Sequence, residues 1–293
     1  MPTKRTLCFS LCALLGIFMA AQPLMASPAS PRFQWEVADA APGSRVSRQP
    51  VPQEESLFSG DYWKLVGEDI GNTFTAPARW EQSDWLVAGS ITAGVGLTMA
   101  FDKDIQHAIW RNRNGALTSV SNFVEPLGFE YAPGVLAAFY LGGEIFSDSK
   151  AKSVALDGLS ASIIATGLIL QPLKYGVGRN RPRDTRDAYS FQPFSGSDSF
   201  PSGHTTEAFA IASVISEHYD SPWVGVVSYS IADCIGYARV NHSAHWPSDV
   251  AAGAAIGALV GCAVVNFNKR YRNASLSLVI GPNMRGAQLS WAF

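Results

Sequence analysis

The sequence predicts an all-α protein: a bundle of about six core helices with a short β-hairpin at its C-terminal end. Three observations carry that expectation. Apolar blocks of helical length recur at Trp85 to Phe101, Ala132 to Phe146, Val154 to Leu173, Glu207 to Tyr219, Trp223 to Tyr237 and Val250 to Phe267. Small residues at Gly253, Gly257 and Gly261 repeat every fourth position, the spacing at which one helix lets another approach closely. Strand-like alternation marks the last twenty residues, where Leu276, Leu278 and Ile280, then Leu289, Trp291 and Phe293, flank the turn signal Gly281 to Gly286.

Taken in order, residues 1–29 read as a signal peptide. Lys4 and Arg5 precede an apolar stretch from Thr6 to Ala21, and Ala26 or Ala29 offers a small-residue cleavage point. Residues 30–56 are rich in Pro, Ala, Ser and Gln and too poor in large apolar groups to bury a core, so a flexible linker is expected. Leu57 to Trp85 mixes Trp63, Phe74, Trp80 and Trp85 with acidic residues, either an amphipathic element on a membrane surface or one packed over the helical domain, with core packing the default. The helical domain is placed at 57–273 and the hairpin at 274–293. Cys234 and Cys262, the two cysteines beyond the leader, fall in apolar stretches and are expected as buried free thiols.

With 47% hydrophobic and 16% charged residues in 293, the chain is more apolar than a typical soluble protein and leans toward membrane association. Its net charge of −2, without a long basic run, argues against a nucleic-acid partner. Whether the helices cross a bilayer is left open. Several blocks fall short of the ~20 residues a span needs, Asp157 and Asp233 interrupt two of them, and mean hydropathy is only +0.07.

The candidate chemistry lies in three clusters: Lys174 with Arg181-Pro182, Pro201-Ser202-Gly203-His204, and Arg239 with His245 and Asp249. Lys174, Arg181 and Arg239 are three cations of the kind a tetrahedral oxyanion needs in a dry site. His245 is the candidate nucleophile. Asp249 stands four residues on, so on a helical turn its carboxylate can hold one ring nitrogen and leave the other free to attack. His204 could protonate a leaving oxygen, and Ser202 and Gly203 open an apolar helix whose first N–H groups could bind anions. His242 has the wrong spacing to Asp249 and is read as a loop residue. Arg179 and Arg183 are read as an extension of the anion surface or a solvated basic loop.

The pattern K-x6-R-P, P-S-G-H and R-x5-H-x3-D resembles that of the type 2 phosphatidic acid phosphatase (PAP2) family, which includes class A acid phosphatases and vanadium haloperoxidases. It runs from about Leu156 to Phe267. The resemblance implies a PAP2-like bundle and a metal-independent phosphatase, without a cofactor, that hydrolyses phosphoric monoesters. In that scheme His245 becomes the phosphohistidine, His204 is the general acid, and Lys174, Arg181, Ser202, Gly203 and Arg239 hold the phosphate. One departure is visible: Ala238 stands where the family usually has Ser or Thr, which puts one minor hydrogen bond in doubt and not the mechanism. A phosphorylated lipid or a small phosphate ester is the expected substrate, met in the cell envelope with the site facing the periplasm. The alternatives are a vanadate-dependent haloperoxidase and a non-catalytic lipid-binding or scaffold protein of the envelope.

Overall fold

A computed structural model describes residues 45–49, 56–219, 221–281 and 284–291. The expected signal peptide and most of the expected linker lie outside the described residues; within the linker, 45–49 and 56 are described. Nine helices stand among those described, and all fall in the larger of two compact units, formed by Gln49–Leu276 with Leu289–Phe293. The strands β1 (Arg45–Gln49), β2 (Ala274–Gly281) and β3 (Met284–Trp291) pair in that order. The expected C-terminal hairpin is not established by them, since residues 282–283 that would turn it are outside the described set.

Helix α1 (Gly60–Thr75) starts at Ser59, whose hydroxyl accepts the Tyr62 N–H at 3.2 Å. It buries Tyr62, Leu65 and Val66, and the Tyr62 hydroxyl donates to the Leu156 carbonyl. The default expectation is corrected here: Trp63 and Phe74 of this helix are each at least half exposed, because its inward stripe is taken by Tyr62, Leu65 and Val66, and Trp85 in the next helix is more than half exposed as well. A capping box of Glu81 and Asp84 opens α2 (Gln82–Ala100), and α3 (Asp102–Arg111) follows with a bend of 60°. Short α4 (Gly115–Val124) is capped by Asn114 and runs into the tight turn Glu125–Gly128. Helices α5 (Ala132–Phe146) and α6 (Ser149–Val177) meet at Asp148, whose carboxylate caps α6. Inside α6 the stretch Ile163–Leu170 widens into π-type turns.

The core is built on α6, α7 (Gly203–His218) and α9 (Pro247–Asn273), with α8 (Pro222–Asn241) linking the last two. Val154, Ile164 and Ala165 of α6 pack with Ala210 and Val214 of α7 and Val260, Val264 and Val265 of α9. Each such valine contributes roughly 1.5–3 kcal/mol by burial. The glycine spacing does what the sequence suggested: Cβ atoms at Gly253, Gly257 and Gly261 would lie 2.6, 2.2 and 2.6 Å from the carbonyl oxygens of Ser202, Thr206 and Ala210. Helices α7 and α9 therefore touch backbone to backbone along their length.

Two helices, Ser149–Val177 and Pro247–Arg272, are long and apolar enough to cross a membrane, and the bent pair α2–α3 makes a third if it counts as one span. Around them Leu97 of α2, Ile145 and Phe146 of α5, and Trp223 and Val227 of α8 point outward. An apolar exterior on a bundle with spanning-length helices is membrane-protein character. Cys234 and Cys262 are free thiols, but Cys234 faces outward, not into the core.

Candidate active site

The three clusters meet at the end of the bundle where α6 finishes and α7 and α9 begin. Between α6 and α7 the chain makes a long loop, entered at Gly178 with φ +57°, where any side chain would collide with the Gln192 carbonyl. Lys174 lies in the last turn of α6, and its ammonium donates to the Asp198 carbonyl. Arg181 grips the Asp198 carboxylate with two bonds, Nε to Oδ1 at 2.8 Å and Nη2 to Oδ2 at 2.6 Å. Burial alone would raise the Asp198 carboxyl, but its Arg181 bonds and charge, with Lys174 adding, hold it below the usual carboxylate range. Gly203 lies against the Lys174 side chain, a Cβ there standing in ordinary contact 4.0 Å from Cε.

His245 sits in the loop before α9, only 2% exposed. Its Nδ1 is 2.7 Å from the Ser199 carbonyl. A carbonyl can only accept, so Nδ1 carries the proton and the neutral ring keeps its lone pair on Nε2, for which no partner stands among the described residues. Burial, with the nearby charges of Lys174 and Arg239, pushes this imidazole down to about 4 against the pull of Asp249.

The expected direct bond from Asp249 is corrected. Asp249 Oδ2 is 3.8 Å from His245 Nδ1, outside hydrogen-bond range, because it already accepts the Ser199 hydroxyl at 2.5 Å and the Trp246 N–H at 2.8 Å. It thus acts through Ser199, holding the residue whose carbonyl holds the ring. The other oxygen, Oδ1, accepts Arg179 Nη1 at 2.6 Å.

Arg179 is neither an anion surface nor a solvated loop residue. It is fully buried, bridging Asp249 to Asp102 through Nη2 at 2.6 Å, with the Ser248 hydroxyl bonded to both Arg179 and Asp102. Asp102 opens α3 at the α2–α3 bend. Its charge is what makes a buried guanidinium tolerable there.

Ser202 is corrected in part. Its N–H donates to the Asp249 carbonyl at 3.0 Å and its hydroxyl pairs with Thr205, so neither faces an incoming anion. No side chain caps α7 at Ser202, so the first N–H groups of the helix, from Gly203 on, are not taken up by a capping side chain.

A segment without any motif closes the other side. Glu125 binds Arg239 Nη1 and His242 Nδ1. A Cβ on Gly128 would meet the His204 carbonyl at 3.0 Å, Phe129 stacks on the His204 ring with centroids 5.5 Å apart, and Glu130 Oε2 is 3.3 Å from His204 Nε2. Burial lowers the His204 imidazole while Glu130 pulls it back up. Sequence reasoning missed Glu125 to Glu130, as well as Asp198. The Glu-Pro step after an apolar helix was the available signal, and it marks a turn without saying what the turn touches. As expected, His242 ends α8 in a loop and makes no bond to Asp249.

Residues 157–272 match the family model of the PAP2 superfamily. The lipid A 1-phosphatase of Porphyromonas gingivalis is 38% identical over 117 residues, 39% of this chain and 24% of that one. That of Rhizobium johnstonii is 37% identical over 119 residues, 38% of this chain and 48% of that one. The chain thus spans half or less of the curated relatives it matches. Among solved structures, Aquifex aeolicus LpxE superposes with a TM-score of 0.43 and 26% identity over 56% of this chain and 93% of that one. The resemblance read from the three clusters is thereby carried by a family match that encloses all of them.

Proposed function

We propose that the helical domain, residues 57–273, is a metal-independent phosphatase acting on lipid phosphate monoesters through a phosphohistidine at His245. The single observation that carries this reading is the His245 ring, neutral, buried, and fixed by a backbone carbonyl in the tautomer that presents Nε2, within the field of Lys174 and Arg239. The 1-phosphate of lipid A is the first substrate to try, since the matched relatives bear that activity in their names.

Phosphate enters by displacing Asp198 and Glu125 from Arg181 and Arg239, with Lys174 and the Gly203 N–H completing the clamp. The Nε2 lone pair of His245 attacks phosphorus in line, and the P–O ester bond breaks. The His204 proton passes to the departing alkoxide. The phosphorylated ring is a cation, stabilised by the Ser199 carbonyl and by Asp249 behind it. Water then gives a proton to His204 and its oxygen to phosphorus, the P–N bond breaks, and both histidines return to their starting states.

The basic and apolar leader supports export, with the site on the periplasmic face of the membrane. The test is phosphate release by wild type and His245→Ala, with EDTA present, from an aryl phosphate and from a lipid phosphate monoester in micelles. Release from both by wild type alone is expected. Full activity of His245→Ala, or abolition by EDTA, overturns the mechanism. Hydrolysis of an impermeant aryl phosphate by intact cells places the site outside, and hydrolysis only after lysis overturns that placement.

A further inference from the structure

We propose that the polar cavity beyond Arg181 is a head-group subsite, taking the neutral, hydroxyl-rich group, a sugar or another polyol, to which the scissile phosphate is attached. It rests on the phosphatase reading above and adds a substrate class to it.

The cavity, about 310 Å³, is lined by Asn180, Arg181, Arg183, Asp184, Ser195 and Ser197, with Gly196 and Asp198 completing its wall. It shares Arg181 and Asp198 with the phosphate clamp. A group seated there would adjoin a phosphate held on Arg181. Its size suits a hexose, at the lower limit of small-molecule sites. No large apolar side chain lines it, so an acyl chain would gain little there, whereas hydroxyls would find donors and acceptors along its wall.

The walls are held in place by bonds that leave the recognition groups available. The Ser197 hydroxyl donates to Asn180 Oδ1 at 2.6 Å, and Asn180 is itself anchored to Ser190 through its N–H at 3.0 Å and its amide nitrogen at 2.8 Å. The Ser195 hydroxyl donates to the Gln192 carbonyl at 2.6 Å. Arg183 and Asp184 are positioned by their backbones, through N–H bonds to Ser243 and Arg181 carbonyls at 3.1 and 2.9 Å. Neither side chain has a hydrogen-bond partner among the described residues.

Charge decides which head group fits. Two guanidinium groups, Arg181 and Arg183, stand against two carboxylates, Asp184 and Asp198, so the formal charge of the lining is zero. A second phosphate would meet Asp184 at a cost. Hydroxyls would donate to Asp184 and accept from Arg183, an arrangement that rewards a neutral polyol.

The experiment uses the full chain turning over an aryl phosphate, with three competitors: inorganic phosphate, a hexose 1-phosphate, and an acylated hexosamine 1-phosphate in detergent micelles. Wild type is expected to bind the hexose 1-phosphate more tightly than inorganic phosphate. In Asp184→Ala and Arg183→Ala the inhibition constant for the hexose 1-phosphate should rise by roughly fivefold relative to that for inorganic phosphate, the loss of about one hydrogen bond. Equal changes for both competitors, or none for the hexose 1-phosphate, overturn the subsite. Tighter binding of the acylated competitor with the same Asp184 dependence identifies a membrane lipid as the source; equal binding identifies a free sugar phosphate. If wild type does not cleave the aryl phosphate at all, the phosphatase reading falls first and the subsite with it.

Discussion

The two ends of the bundle carry the same kinds of residue and use them differently. At one end His245, Asp249 and Arg179 are buried together; at the other, about 21 Å along α7 by helical rise, buried His218 and Asp157 meet a partly exposed Arg272. Asp157 accepts His218 Nε2 at 2.8 Å, Asn268 at 2.9 Å and both terminal nitrogens of Arg272. Its histidine has thus committed the outer ring nitrogen to a carboxylate. His245 commits the inner one, to a backbone carbonyl, and keeps Nε2. A buried His–Asp pair with an arginine is therefore not a site in itself. What separates a reactive set from a structural one is which nitrogen is left without a partner.

The sharpest way to break that comparison is to remove each histidine. His245→Ala should lower phosphate release by roughly 10⁴-fold or more with helical circular dichroism unchanged, the scale seen when a nucleophile is lost. His218→Asn should keep turnover per folded molecule. Loss of chemistry in His218→Asn with normal folding would mean that the two ends are coupled.

The carboxylates come next. Arg179→Ala leaves Asp102 and Asp249 buried without that guanidinium, and Asp157→Ala removes the carboxylate that accepts from His218, Asn268 and Arg272; each should cost about 3–5 kcal/mol, read as a lower melting temperature in detergent. Only Arg179→Ala should also reduce kcat, since Asp249 orients His245 through Ser199. An undisturbed kcat in that variant would remove Arg179 from the chain of support.

A smaller effect is expected at Gly257→Ala, whose new methyl carbon would lie 2.2 Å from the Thr206 carbonyl; overpacking of this kind costs about 1–3 kcal/mol. An unchanged melting temperature would show that α7 and α9 can part without loss.

The smallest effect lies in pH dependence. His245 must be neutral, and burial sets it at about 4, so activity rises as pH passes that value. His204 must be protonated, and burial sets it below its ordinary 6.5, so activity falls as pH passes it. The optimum should be acidic. Glu130→Gln removes the group that holds the His204 value up, so the alkaline limb should move to lower pH while the acid limb stays. Movement of the acid limb alone would reverse the two histidine roles.

All six apolar blocks lie on observed helices, and all eight motif residues gather at one end, because periodicity and spacing record local structure and short motifs directly. Helices α3 and α4 escaped notice: Asp102–Arg111 is polar, and Gly115–Val124 is too short to show a period. Asp102, Glu125, Glu130 and Asp198 escaped for a different reason. Each is a single carboxylate in a turn or at a helix start, and its meaning comes wholly from the cation it meets, 77 residues away for Asp102 and 114 for Glu125. Arg179 lay inside a motif and was still misread, since nothing local distinguishes a guanidinium that faces water from one that faces two carboxylates.

The glycine seam between α7 and α9 has a consequence beyond packing. His204 rides on the first turn of α7, while Asp249 and the loop bearing His245 ride on the first turn of α9. The thickness of the seam is thus a ruler for the gap between the proposed proton donor and the proposed nucleophile. With Gly253 against the Ser202 carbonyl, the ruler is set one methyl group short of what any other residue would allow. A thicker seam would detune the pair while leaving every reacting atom in the sequence.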